Sequence, residues 1–417
     1  MKVSLGMLSV AGLLSFGLLI FAGKSVNAED SPQWRGKDRT GVSAEKGLLK
    51  SWPQGGPKLL WKATNLGEGH ATPAIAKGRA YGMGLRGDAE VVWALDLSTG
   101  KELWNRRIAG GVQLDAGQGG YGSRSTPTVV SDRLYALGVS GHFVCLSLAD
   151  GKVLWEHDLP TEYSAEVPKW GYCESPLIEG NMVVIAPGGS KGAIVAFDKV
   201  NGRQVWVSQL PDGARAHYSS AIAATVDGKR QIIHFLSNGV FGVSATEGKY
   251  LWRYNSPANG VANCSSPIFH DNHVFAASSY STGGGLAKIQ GNTATEVYFT
   301  KDMMNHHGGV ILLGEYLYGY DDHSRTLNCM EFKTGKVVWA EKSVGKGSLT
   351  YADGHLYLRS ERGPVALIEA SPEKYIERGR FEQPDRSRAN AWPYPVVANG
   401  RLYLRDQDIM LCYEIKE

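Results

Sequence analysis

The sequence predicts an all-β fold, an eight-bladed propeller of four-stranded antiparallel blades, and three observations predict it. The first is a phrase that returns along the chain. Ala94-Leu95-Asp96-Leu97-Ser98-Thr99-Gly100-Lys101-Glu102-Leu103-Trp104 reappears as Cys145 to Trp155, Ala196 to Trp206, Gly242 to Trp252 and Cys329 to Trp339. The second is its period. Trp61, Trp104, Trp155, Trp206 and Trp252 lie 43, 51, 51 and 46 residues apart, the length of one four-stranded blade. The third is 52 glycines in 417 residues with poor helical punctuation, as many short strands joined by tight turns require.

The second blade shows how each repeat folds. Pro127 to Val130 is a short inner strand, Ser131-Asp132 a turn, Arg133 to Leu137 the second strand and His142 to Leu148 the third. Ala149-Asp150-Gly151 turns the chain into the outer strand that begins Val153-Leu154-Trp155. Glycine supplies the positive backbone angle such a turn needs, and the preceding Asp, Asn or Thr bonds back to it. The tryptophans of the phrase (Trp61, Trp104, Trp155, Trp206, Trp252 and Trp339) are expected to wedge between neighbouring blades, a structural role.

Inner strands are expected to start near Thr72-Pro73, Thr126-Pro127, Ser175-Pro176, Ser220-Ala221, Ser266-Pro267, Gly309-Val310, Ser348-Leu349 and Tyr394-Pro395, hence eight blades. Two outer-strand phrases are degraded and lead to Tyr298 and Tyr375 instead of Trp. The last blade runs out after three strands, whereas Lys58-Leu59-Leu60-Trp61 is an outer strand without a blade. Lending it to the last blade closes the ring and removes two open sheet edges. The expected division is a signal peptide at 1–28, an irregular lead-in running over the surface at 29–56 and the propeller at 57–417.

Lys2, the apolar run Val3 to Ala22 and Val26-Asn27-Ala28 read as a cleaved secretory signal. The alternative is an uncleaved anchor, since the run approaches spanning length. No cysteine lies near the cleavage point, so no lipid anchor is expected, and the protein should be periplasmic or secreted without stable membrane insertion. The formal charge is +3, and removing Lys2 and Lys24 leaves about +1, no basic field for nucleic acid. Five cysteines are an odd number without framework spacing. Cys145, Cys329 and Cys412 share one position in the third strand and read as small core residues.

The repeated Ala-x-Asp-x-x-Thr-Gly-Lys-x-x-Trp phrase resembles the docking motif of pyrroloquinoline-quinone-type (PQQ) propellers. That superfamily holds quinoprotein alcohol dehydrogenases and the propeller lipoprotein of the bacterial outer-membrane assembly machine. Pro32-Gln33-Trp34-Arg35-Gly36, Gly47 to Pro53, His306-His307-Gly308-Gly309 and Leu402 to Asp408 are similar to exported bacterial PQQ-binding-like propellers. The resemblance covers the whole mature chain and implies the fold. The quinone chemistry it suggests would need calcium, an aspartate base and, often, adjacent cysteines. No two cysteines are adjacent here and no calcium pattern is readable, so no cofactor is expected, with PQQ and calcium as the alternative.

Stacking the repeats locates a candidate site. Three residues before the proline-equivalent position stand His70, Arg124, Cys173, Tyr218, Cys264, His307, Lys346 and Trp392. One residue before it stand Thr72, Thr126, Ser175, Ser220, Ser266, Gly309, Ser348 and Tyr394. Positions two apart on a strand point to the same face, so if that face looks at the axis the second set lines the channel and the first rings one mouth. Such a rim also stays polar simply because it is solvated. His306 is expected to point away from the channel, because adjacent strand residues alternate. Asp321-Asp322-His323 reads as a solvated loop, and a Cys173–Cys264 disulfide as too long.

The resulting expectation is an exported scaffold that binds a protein, peptide or glycan of the envelope through this mouth, with no bound metal. The alternative is a quinone- or metal-dependent oxidoreductase in which His307, Cys264 and Glu174 bind or relay protons.

Overall fold

The computed structural model describes residues 1, 29–110 and 122–417, so the expected signal at 1–28 lies outside the described residues except for Met1. Eight sheets, each with four antiparallel strands, form the ring. Blade 1 comprises Ala74–Ala76, Arg79–Arg86, Ala89–Asp96 and Glu102–Ala109, from the axis outward. The other inner strands are Thr128–Val130, Leu177–Glu179, Ile222–Val226, Ile268–His270, Val310–Leu313, Gly347–Ala352 and Val396–Ala398. The middle strands of a blade are buried on both faces because blades stack face to face, and the core lies between blades. Trp61, Trp93, Tyr403, Met410 and Cys412 pack together across one such seam. Among the described residues no helix is long and apolar enough to cross a membrane.

Closure is as the sequence predicts. Lys58–Ala63 pairs antiparallel with Ile409–Glu414 and places Trp61 opposite Cys412, completing blade 8. The degraded phrases still form outer strands, Thr293–Thr300 and Glu377–Phe381. Cys145, Cys329 and Cys412 are fully buried third-strand residues.

The repeated phrase is a socket for the tryptophan of the preceding blade. Asp96 Oδ1 accepts the amides of Ser98 and Thr99, and Gly100 follows at φ +71°. The Trp61 indole lies flat on that glycine, where a Cβ would come within 2.6 Å of the ring, and its Nε1 donates to Leu97 O at 3.0 Å. Trp104, Trp206 and Trp339 donate likewise to Leu148, Ala245 and Ser371 carbonyls. Tyr298 keeps the contact with a different atom, its hydroxyl donating to Phe332 O at 2.9 Å. Trp252 instead donates to Gln231 of its own blade, and the Trp155 Nε1 is buried without a partner. In seven blades the register slips by one residue just before this aromatic. A bulge of that kind re-aims a side chain. Here it turns the ring inward and leaves the skipped residue exposed, as at Leu103, Leu154 and Val205.

The lead-in does not run over the surface. Ser31 O and Pro32 O accept amides from Ile75 and Val129, in the inner strands of blades 1 and 2. Arg39 donates to the Ser175 and Pro176 carbonyls before blade 3, Trp34 Nε1 to Ser266 Oγ before blade 5, and Arg35 to Val310 O of blade 6. Val42–Ser43 then pairs in parallel with Tyr351 and Ala352 of blade 7. The reason is that every inner strand presents an unpaired edge to the channel, and a buried edge must be satisfied. The segment crosses the channel and supplies those partners.

Candidate functional site

The predicted mouth residues precede the inner strands, in loops rather than in strands. Below them the hydroxyl layer holds the ring together instead of lining an open bore. Ser220 Oγ accepts the Ser175 amide, Ser175 Oγ the Thr126 amide, and Thr72 Oγ1 the Tyr394 amide, each across a blade seam. Trp34 enters this layer edge-on to Tyr394, with centroids 4.7 Å apart. It lines the same cavity as His70, Arg124, Cys173, Tyr218, Cys264, His307 and Trp392. The mouth is therefore a cup with the lead-in as its floor.

The upper part of the cup, about 420 Å³, is walled by Arg124, Cys173, Tyr218, Cys264, His306, His307 and Trp392. Trp170, Tyr280 and Ala262 complete that wall. Trp392 is its centre. His307 stacks on it at 4.1 Å and His70 lies tilted at 4.4 Å. The Arg124 guanidinium sits 5.5 Å from the indole centroid, a cation–π distance. Trp392 Nε1 donates to Glu361 Oε1 at 3.0 Å, which holds the indole in place. Lys346 reaches the rim beside His306, where its Nζ donates to Asp322 Oδ2 at 2.8 Å. All eight predicted positions thus converge on this end of the channel.

Three expectations about it change. His306 joins His307 in the cup, their rings 3.5 Å apart. Strand alternation does not apply, because both precede the inner strand at Val310 and the Gly308-Gly309 turn frees their directions. Glu174 is not at the mouth. It is buried in the seam of blades 3 and 4, where Oε1 meets His234 Nε2 at 2.8 Å and Oε2 accepts the Ala186 amide. Of the expected solvated loop, Asp321 is buried, its Oδ1 accepting the Met304 amide, and Asp322 is half-buried, accepting from Lys346 at the rim, whereas His323 is exposed in a turn.

Burial sets the charge state of the cup. It pushes His306 and His307 well below the usual histidine range, helped by Lys346, so both rings are neutral at neutral pH. Burial also raises the Cys173 thiol to about 11 and the Cys264 thiol further, so neither is a thiolate by itself. Both cysteines are free. Cys264, His306 and His307 place one ligand atom each within 4.8 Å of one another. Sulfur and nitrogen donors do not fit calcium, which takes six to eight oxygens, so the calcium–quinone arrangement of the dehydrogenases has no counterpart in this donor set.

Trp170 and Tyr280 escaped the sequence reading because they come from loops outside the repeated phrase. Only their aromatic character, in loops beside the mouth positions, could have signalled them.

The family model described as outer membrane protein assembly factor BamB matches residues 34–168 and 88–341. The outer membrane protein assembly factor BamB of Kangiella koreensis is 26% identical over 192 residues, 45% of this chain and 43% of that protein. That of Shewanella oneidensis is 22% identical over 379 residues, 84% of this chain and 86% of its own. A tetrathionate hydrolase of Acidithiobacillus ferrooxidans is 24% identical over 267 residues, 60% of this chain and 48% of the enzyme. The chain thus spans less than half of the first and third of these relatives. Among solved structures, BamB from Moraxella catarrhalis superposes with a TM-score of 0.55 at 14% identity, covering 80% of this chain and 94% of that one. A europium-containing methanol dehydrogenase gives 0.54 at 11% identity, covering 91% and 90%. At such identities the structural likeness shows the shared ring.

Proposed function

Because the chain belongs to the outer membrane protein assembly factor BamB family, we propose that it is an exported propeller scaffold that holds a protein or peptide of the bacterial envelope in the cup at its channel mouth. The observation that carries this reading is the closed cup itself. Its floor is the chain's own Trp34, and its wall combines aromatic faces with the Arg124 cation. Aromatic and arginine anchors in a desolvated pocket are what dominate protein–protein affinity. The cup would take a side chain of a partner loop, with the surrounding rim excluding water. Orientation would come from Arg124 and the Lys346–Asp322 pair, which favour an anionic or aromatic group. The relatives named as assembly factors support a protein partner.

The alternative, an oxidoreductase at the same mouth, loses Glu174 as its proton relay, since Glu174 is committed to His234 and Ala186 in a blade seam, and would have to use Glu361 beside His307 instead. The test is to compare proteins retained from envelope extracts by the wild type and by Trp392→Ala and Arg124→Ala. Each change should weaken retention of the same partner by about 10–100-fold, the cost of losing one anchor. Equal retention by all three, with the variants folded, would refute the cup as the binding surface.

A further inference from the structure

The cup contains a group that partner binding does not use. Cys264, His306 and His307 bring a thiol sulfur and two imidazole nitrogens within 4.8 Å of one another. We infer that these three side chains bind one thiophilic d10 cation, zinc(II) or copper(I), with its fourth position open to the cup.

Four features of the loops support this. First, the donors are mutually positioned. Ser265, next to Cys264, donates to Asn305 Oδ1, next to His306, so the two loops are tied beside the ligands. Asn305 Nδ2 in turn donates to Tyr320 O at 3.0 Å and Gly309 O at 3.2 Å, and Tyr394 OH donates to His307 O at 2.7 Å. Second, Nδ1 of each ring has polar neighbours: Lys346 Nζ lies 3.2 Å from His306 Nδ1 with Asp322 at 4.0 Å, and Glu361 is 3.5 Å from His307 Nδ1. Ligating histidines use such neighbours to fix the tautomer and leave the other nitrogen to the ion. Third, His307 Nδ1 is buried without a hydrogen bond, and a small rotation of the ring toward Glu361 as the other nitrogen meets the ion would satisfy it. Fourth, the donor set is chemically selective. One thiolate and two imidazoles suit zinc or copper and disfavour magnesium and calcium.

Ligand bonds of about 2.0–2.3 Å put donors roughly 3.3–3.8 Å apart around a tetrahedral ion. The group closes from its present spacing by side-chain rotation of about 1 Å. Binding converts the Cys264 thiol to a metal-bound thiolate and releases one proton to solvent, with no change of oxidation state. The sequence reading expected no metal here because it turned His306 away from the channel. This inference stands without the partner reading, since it is tested with the ion alone.

The exported chain, stripped by chelator, is dialysed against zinc(II) alone and, under reducing anaerobic conditions, against copper(I) alone. Cobalt(II) serves as a spectroscopic probe of thiolate ligation. One equivalent should bind, with a thiolate-to-cobalt charge-transfer band, and Cys264→Ser and His307→Gln should each weaken binding at least tenfold. His142→Gln, which removes a half-buried histidine of the third strand of blade 2, away from the cup, should bind as the wild type does. Whichever of zinc and copper is held more tightly identifies the ion. No stoichiometric binding of either, or equal binding by wild type and Cys264→Ser with circular dichroism unchanged, overturns the site.

Discussion

At the scale of single residues, two positions explain most of what the repeat is for. Gly100 combines φ +71° with a Cβ position 2.6 Å from the Trp61 ring, so Gly100→Ala strains the turn and displaces the docked indole together. A loss of about 2 kcal/mol is expected in denaturant unfolding. Tyr298→Phe removes only the hydroxyl bond to Phe332 O and should cost about 1 kcal/mol.

The cup histidines make stability depend on pH. Burial holds His306 below its ordinary 6.5, so below pH 6.5 the unfolded chain binds a proton that the folded one refuses. Stability is therefore lost as pH falls from 7 to 5. Glu90, raised to about 7 by burial, opposes this between its ordinary 4.5 and 7. The informative quantity is hence a difference: His306→Gln should lose less stability than the wild type over that interval, measured by urea midpoints at each pH. The outward direction assigned to His306 from sequence failed for a related reason. Alternation is a rule of strands, and His306 stands four residues before Val310, where the strand begins, as the sequence itself places its start.

At the scale of elements, the lead-in is the part the sequence conceals. Residues 31–43 have no periodicity, yet they bond to the inner edges of six blades or to the residues just before them. Their partners are backbone groups, which leave no trace in side-chain pattern. The blades were legible because each repeats the same turn and the same aromatic. The mouth was legible because stacking the repeats aligns His70, Arg124, Cys173, Tyr218, Cys264, His307, Lys346 and Trp392 at one position, although they stand in loops and not on the shared strand face expected of them. Trp170 and Tyr280, outside the repeat, were not. Trp34→Ala removes the indole that donates to Ser266 and meets Tyr394. It should destabilise the protein by about 2 kcal/mol and leave the cup open at its base, seen as faster amide exchange of the blade 5 and blade 8 inner strands.

At the scale of the whole molecule, the ring is closed by one strand from the far end of the chain. Deleting Lys58–Ala63 opens blade 8 along Ile409–Glu414 and exposes Trp61's socket in blade 1. The ring should then lose its single cooperative transition, because blade 8 loses its outer strand and blade 1 its docked indole at once. Closure also matters for function, since a rigid ring with a floor is what turns eight loops into one cup.

The most direct test of the account is site-specific photo-crosslinking in the bacterial envelope, from Trp170 at the cup wall and from Val205, exposed on an outer strand. The account predicts a discrete protein adduct from position 170, lost when Trp392→Ala is added, and none from position 205. An adduct from 205 alone, or one from 170 that survives Trp392→Ala, would contradict the cup as the place where this propeller holds its partner.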